Sequence, residues 1–158
     1  MPSKTPFMDK YYLKFKDLKN DNFEILDTYL RLDYQCFTQG LYYDTKINKL
    51  VESCGQYRHS KTQVLDLGSD HILRPAQYEP FKSAFFAEGL TLKNDTHYIA
   101  LTWKENTFVV IDRETFKVTE ERPYPKGYKE GWGITHSDKF LFATDGSNIL
   151  YQLDRESL

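Results

Sequence analysis

The chain has 158 residues, 40% hydrophobic and 28% charged, with a net charge of −2. That is the size and balance of one globular unit with a core of its own, not of a disordered tail or a peptide. Aromatics reach 16% while Gly and Pro stay ordinary at 8 and 6, which excludes collagenous and low-complexity chains, and 21 basic against 23 acidic residues leave no net basic field for nucleic acid or an anionic membrane surface.

From the N-terminus, Lys4, Lys10, Lys14, Lys16 and Lys19 mix with Asp9 and Asp17 with no apolar run among them, a pattern unlike a secretory signal or a transit peptide. Phe7, Tyr11, Phe15 and Leu18, flanked by Met8 and Tyr12, recur at helical spacing and predict a short amphipathic helix within an N-terminal extension over residues 1–22. Phe23 to Leu32 reads as a strand entering the first unit of the fold. No stretch reaches the roughly 18 apolar residues of a membrane-spanning helix. Cys36 and Cys54 have neither C-x-x-C nor zinc-type spacing, so the reading is two free thiols in a reducing compartment, with a bridge between them geometrically open. The expectation is a soluble intracellular protein, in a cytoplasmic or organellar assembly.

Residues 23–158 contain a repeat. An aromatic, a spacer, Gln or Glu, Gly and an apolar residue occur as Phe37-Thr38-Gln39-Gly40-Leu41, Phe86-Ala87-Glu88-Gly89-Leu90 and Tyr128-Lys129-Glu130-Gly131-Trp132. Downstream of the second copy, Tyr98 to Trp103 and Thr107 to Glu114 match Phe140 to Asp145 and Ile149 to Glu156 downstream of the third. The first copy offers Lys49 to Gly55 and Gln63 to Leu67. Short β-branched and aromatic runs broken by turns such as Asn94-Asp95 and Asp145-Gly146-Ser147-Asn148 are strand signals. About 45 residues per unit, with several short strands each, is the pattern of β-propeller blades, and the motif glycines suit a bulge or close backbone approach near the central channel. The fold class is therefore all-β.

Several motifs in order make a closer match. Phe37 to Leu41 (FTQGL), Glu52 to Gly55 (ESCG), Phe86 to Leu92 (FAEGLTL), Leu101 to Trp103 with Lys104, Glu130 to Thr135 (EGWGIT) and Asp145 to Ser147 resemble the glutaminyl-peptide cyclotransferases of the plant and bacterial type, also called glutamine cyclotransferases. The resemblance implies a five-bladed propeller enzyme that turns a peptide's N-terminal glutamine into pyroglutamate with release of ammonia, without a metal or other cofactor. His59, His71, His97 and His136 are scattered singly, which agrees with the absence of a metal constellation. Glu88 matches the family's catalytic glutamate, suited to a carboxylate whose proton affinity is raised in an aromatic pocket. Phe37, Phe86, Trp103 and Trp132 match its aromatic walls, each with interblade core as the competing role, and Gln39 matches a hydrogen-bonding partner of the substrate amide. Glu130 repeats the Glu88 position and is read as structural.

The resemblance also marks departures. The chain ends at Leu158, near the close of a third repeat, so an asparagine, a third tryptophan and a lysine of the family pocket have no position here, and Ala87 stands where the family has glycine. The expected architecture is a partial propeller of about three blades whose open faces need covering by a protein partner. Three readings are open: a cyclotransferase completed by a second chain or second copy, a non-catalytic structural subunit of a larger complex, or a truncated product.

Overall fold

The structure, a computed structural model, describes residues 25–158, so the helix expected over 7–18 lies outside the described residues. These residues form strands and turns in three antiparallel sheets. The first contains β2 (Thr38–Asp44), β3 (Lys49–Cys54), β4 (Lys61–Leu67) and β5 (Ile72–Pro80), to which β1 (Leu30–Arg31) adds in parallel along the outer edge of β5. The second is β6 (Ala87–Asn94), β7 (His97–Thr102), β8 (Thr107–Asp112) and β9 (Val118–Pro123), in that order. The third is β10 (Ile134–His136), β11 (Phe140–Thr144) and β12 (Leu150–Asp154). The hairpin turns use residues that tolerate a left-handed backbone: Asn48 (φ 55°) between β2 and β3, Asn106 (φ 52°) between β7 and β8, and Gly146 (φ 78°) between β11 and β12.

The sheets stack face to face as blades, and the sequence of the middle one shows why it sits between the others. Tyr98 and Ala100 on β7 point into a core shared with Val51, Val64 and Leu90, while the alternate residues Ile99 and Leu101 point into a second core with Leu141, Ala143 and Leu153. Both faces are buried, so β7 and β8 read as nearly continuous apolar runs, not as polar-apolar alternation. Arginines that follow an aspartate at the end of the third strand tie each blade to its predecessor. Arg113 donates to both carboxylate oxygens of the fully buried Asp44, which also accepts from Tyr98 Oη. Arg155 donates to the Lys93 and Leu92 carbonyls of the second sheet and to the Ser137 carbonyl of its own.

Two expectations are corrected. The segment from Phe23 to Leu32 does not enter the first blade as an inner strand: among its described residues only Leu30 and Arg31 are strand, and they lie on the outer rim against Ile72 and Leu73. The third motif copy is also out of register. A side chain at Gly40 would run into the Leu90 amide, and one at Gly89 would lie 2.5 Å from the Trp132 carbonyl and 2.8 Å from the Ile134 amide. Gly133, not Gly131, therefore abuts the motif before it, and Trp132, not Glu130, takes the place of Glu88. Sequence alone offered two glycines in EGWG; the contact between inner strands chooses the second.

Candidate active site

The candidate residues sit where the inner strands begin, and irregular pairing puts them there. The β2–β3 ladder skips between Thr38 and Gly40, and the β6–β7 ladder skips between Ala87 and Leu90, so Gln39 and Glu88 both occupy bulges that turn a side chain out of the regular pleat. Glu88 is pinned from both sides: its carbonyl accepts from Ser53 Oγ of the first blade, and the next residue, Gly89, donates its N–H to the Trp132 carbonyl of the third at 2.8 Å.

The Glu88 side chain is 7% exposed and makes no hydrogen bond or ion pair among the described residues. Burial, helped by the nearby carboxylates of Glu105 and Glu130, pushes its carboxyl up to about 7. Those neighbours are themselves engaged. Glu130 Oε2 accepts both indole N–H groups, from Trp103 at 2.9 Å and from Trp132 at 3.2 Å. Glu105 accepts from the Phe86 N–H at 3.2 Å and from Tyr57 Oη at 3.1 Å. The result is a protonatable carboxyl near a second carboxylate, Glu130, that holds both indoles.

Around this group the aromatics interlock edge to face. Phe86 meets Trp103 with ring centroids 5.8 Å apart and Tyr57 at 5.3 Å, and Lys104 Nζ lies 3.9 Å over the Trp103 ring. In this three-sheet portion Trp132 is 45% exposed and Phe37 65%. A side chain at Gly55 would come within 2.5 Å of Phe86 Cε1 and 2.7 Å of Gln39 Cγ, so the bare backbone there lets Gln39 and Phe86 close together. Phe37 and Phe86 both line an open cleft of about 610 Å³ that also takes in Tyr34, Gln35, Cys36, Gly55, Gln56 and His59. Gln39, Glu88, Trp103 and Trp132 do not line that cleft. The six predicted residues thus fall into two adjoining groups that share Phe86.

The cysteine reading is corrected. Cys36 and Cys54 form a disulfide with Cα atoms 4.9 Å apart, and among the described residues there is no free cysteine. The 18-residue separation carries no pairing signal in sequence; the β2–β3 hairpin brings the partners together by setting Thr38 opposite Cys54. The same bond removes the thiolates from Cys36, Glu52 and Cys54, which among the described residues form the group of potential metal ligands that lies close together. Glu52 is further taken up by Arg31 at 2.6 Å and Gln63 at 2.6 Å. Glu105 is the site residue that the sequence does not reveal. It falls in the Lys104-Glu105-Asn106 turn, where a carboxylate carries no signal beyond a solvated loop.

The glutamine cyclotransferase family model matches residues 7–158. A glutaminyl-peptide cyclotransferase of Arabidopsis thaliana is 33% identical over 128 residues, covering 80% of this chain and 37% of that protein. The crystal structure of Myxococcus xanthus glutaminyl cyclase aligns with a TM-score of 0.66 at 26% identity, over 82% of this chain and 50% of that one. This chain therefore spans no more than half the length of either relative, and its three stacked sheets are a partial propeller of that fold. With the family model matching nearly the whole sequence, the chain belongs to the glutamine cyclotransferase family.

Proposed function

We propose that this chain carries the catalytic portion of a glutaminyl-peptide cyclotransferase, with Glu88 as the proton shuttle. In the reaction the α-amine of an N-terminal glutamine attacks its own side-chain carboxamide. The bond from the α-nitrogen to the carboxamide carbon forms, the bond to the side-chain nitrogen breaks, and ammonia leaves. Both reacting groups belong to one residue, so proximity is built in. The protein has to fold the side chain back, accept a proton from the amine and return one to the departing nitrogen. The observation that carries the reading is the unpartnered, buried Glu88 carboxyl at about 7, close to the roughly 7.7–8.0 of an α-amine, so transfer in either direction costs little. Trp103, Trp132 and Phe86 would wall the glutamine and exclude water, Gln39 would hydrogen-bond its carboxamide, and Phe37 would close the outer side.

Incubation with a Gln-initiated dipeptide and assay of ammonia tests this. Release that is lost in Glu88→Gln supports the role; no release, and no peptide binding, by the folded chain refutes it. A second reading, a non-catalytic subunit of a larger complex, draws on the exposed apolar side chains Leu41, Tyr43, Ile149 and Leu150 of the first and third sheets. It predicts association with a protein partner and no binding of glutaminyl peptides. The disulfide favours an oxidising compartment and withdraws the support that free thiols lent to a reducing one. Among the described residues no helix is long and apolar enough to cross a membrane.

A further inference from the structure

We infer that the cleft between Phe37 and Phe86 is a subsite for the peptide chain that comes after the reacting glutamine, taking its second and third residues when these are uncharged; this rests on Glu88 being the proton shuttle. The cleft adjoins the candidate site at Phe86, which meets the Trp103 ring edge to face at 5.8 Å between centroids and also lines the cleft. Its volume of about 610 Å³ lies within the roughly 300–1,000 Å³ typical of ligand sites, whereas Glu88 and the two indoles that would enclose the glutamine lie outside its walls.

The lining says what chemistry fits. Phe37 and Phe86 supply apolar surface, and no Asp, Glu, Lys or Arg lines the cleft. The side-chain amides of Gln35 and Gln56 make no hydrogen bond among the described residues, so each has a donor and an acceptor to offer a peptide backbone. Their own main chains are fixed. The Gln35 N–H donates to Asp33 Oδ1 at 3.0 Å, and Gln56 exchanges hydrogen bonds with Ser60, its N–H to Ser60 Oγ at 3.0 Å and Ser60 Oγ to its carbonyl at 2.9 Å. The floor is also rigid, since Gly55 donates its N–H to the Phe37 carbonyl at 2.9 Å and Cys36 is bonded to Cys54. Preformed walls with uncommitted amides at the rim suit an extended, neutral peptide segment.

The chain's two tryptophans, Trp103 and Trp132, both stand at the candidate site, so intrinsic fluorescence reads its occupancy without turnover. Titrating the full chain with pyroglutamyl amide and with pyroglutamyl-Phe-Ala amide should show the longer product binding about tenfold tighter or better. The Gln35→Ala/Gln56→Ala double variant should erase that gain and leave the short probe's affinity unchanged. In Gln56→Lys, replacing Phe by Asp in the long probe should become favourable where in the parent it is not. Equal affinities for the two probes, or a double variant that weakens both alike, overturns the subsite while leaving the Glu88 reading intact. If neither probe perturbs the fluorescence, the Glu88 reading fails and the subsite with it.

Discussion

As the proposed proton shuttle, Glu88 would oppose stability and serve chemistry at once. The folded carboxyl keeps its proton up to about pH 7, whereas the unfolded chain releases it near 4.5, so the folded state loses stability as pH rises between those values and carries the full penalty above 7. Replacing the group with a neutral isostere removes that penalty. Glu88→Gln should therefore be more stable than the parent at pH 8, by about 3 kcal/mol at 1.36 kcal/mol per pKa unit, and about equal at pH 4; thermal melts at both values check it. The same variant should lose ammonia release, and in the parent kcat/KM should rise with pH through about 7 as Glu88 becomes a base. A gain in stability coupled to a loss of turnover is the mark of a strained functional group; a surface carboxylate would show neither. This residue was legible in sequence as Glu between an aromatic motif and a glycine. Its neighbour Glu105 was not, because its contact with Phe86 arises only when β6 and β7 pair, and that with Tyr57 only once the first blade stacks on the second.

At the scale of elements, the stretch from Leu30 to Phe37 acts as a strap over the first blade. It is fastened at the rim by β1 on β5, then by Arg31 to Glu52 at 2.6 Å, by Asp33 to Lys61 at 2.9 Å and to Gln63 at 3.0 Å, and last by Cys36 to Cys54. Phe37 is the next residue, so the disulfide sets where that wall stands. Reduction, or the Cys36→Ser/Cys54→Ser pair, should destabilise the fold by about 3 kcal/mol, the loop-closure value for a ring of this length. Glutaminyl-peptide KM should rise with kcat little changed, because the loosened wall touches binding more than proton transfer. The motif glycines provide a second test. Gly89→Ala would drive a methyl into the Trp132 carbonyl and Ile134 amide of the next blade and should cost several kcal/mol or prevent folding, whereas at Gly133 the nearest atom is Thr144 Oγ1 at 3.4 Å and alanine should fit, as denaturant midpoints would report. Most elements were readable from short β-branched and aromatic runs between turn residues, above all the matched runs that became β7, β8, β11 and β12. The strap was not, since its fastenings are side-chain pairs between distant positions with no periodicity to reveal them.

Across the whole molecule, blades are joined by apolar cores and then locked by buried charge. Burial alone would raise the Asp44 carboxyl, but the hydrogen bonds from Arg113 and Tyr98 outweigh it and hold it at about 2, so the stability it contributes is present above 3.8 and is lost as pH falls toward 2. Arg113→Ala strands that carboxylate between the first two blades and should cost about 3–5 kcal/mol at pH 7; adding Asp44→Asn should recover a good part, and the double-mutant cycle by urea unfolding measures the coupling. The propeller class could be read from the recurrence of about 45 residues, while the register of its third unit could not, because that depends on which backbone meets which. The arginine locks have a direction. Arg113 of the second blade grips the first, Arg155 of the third grips the second, and Leu67 holds the matching place in the first. Each lock lies at the end of the later blade's third strand and closes on residues already made. In a chain leaving the ribosome N-terminus first, every receiving surface is thus synthesised before the arginine that seizes it, so each lock can close as soon as its arginine emerges.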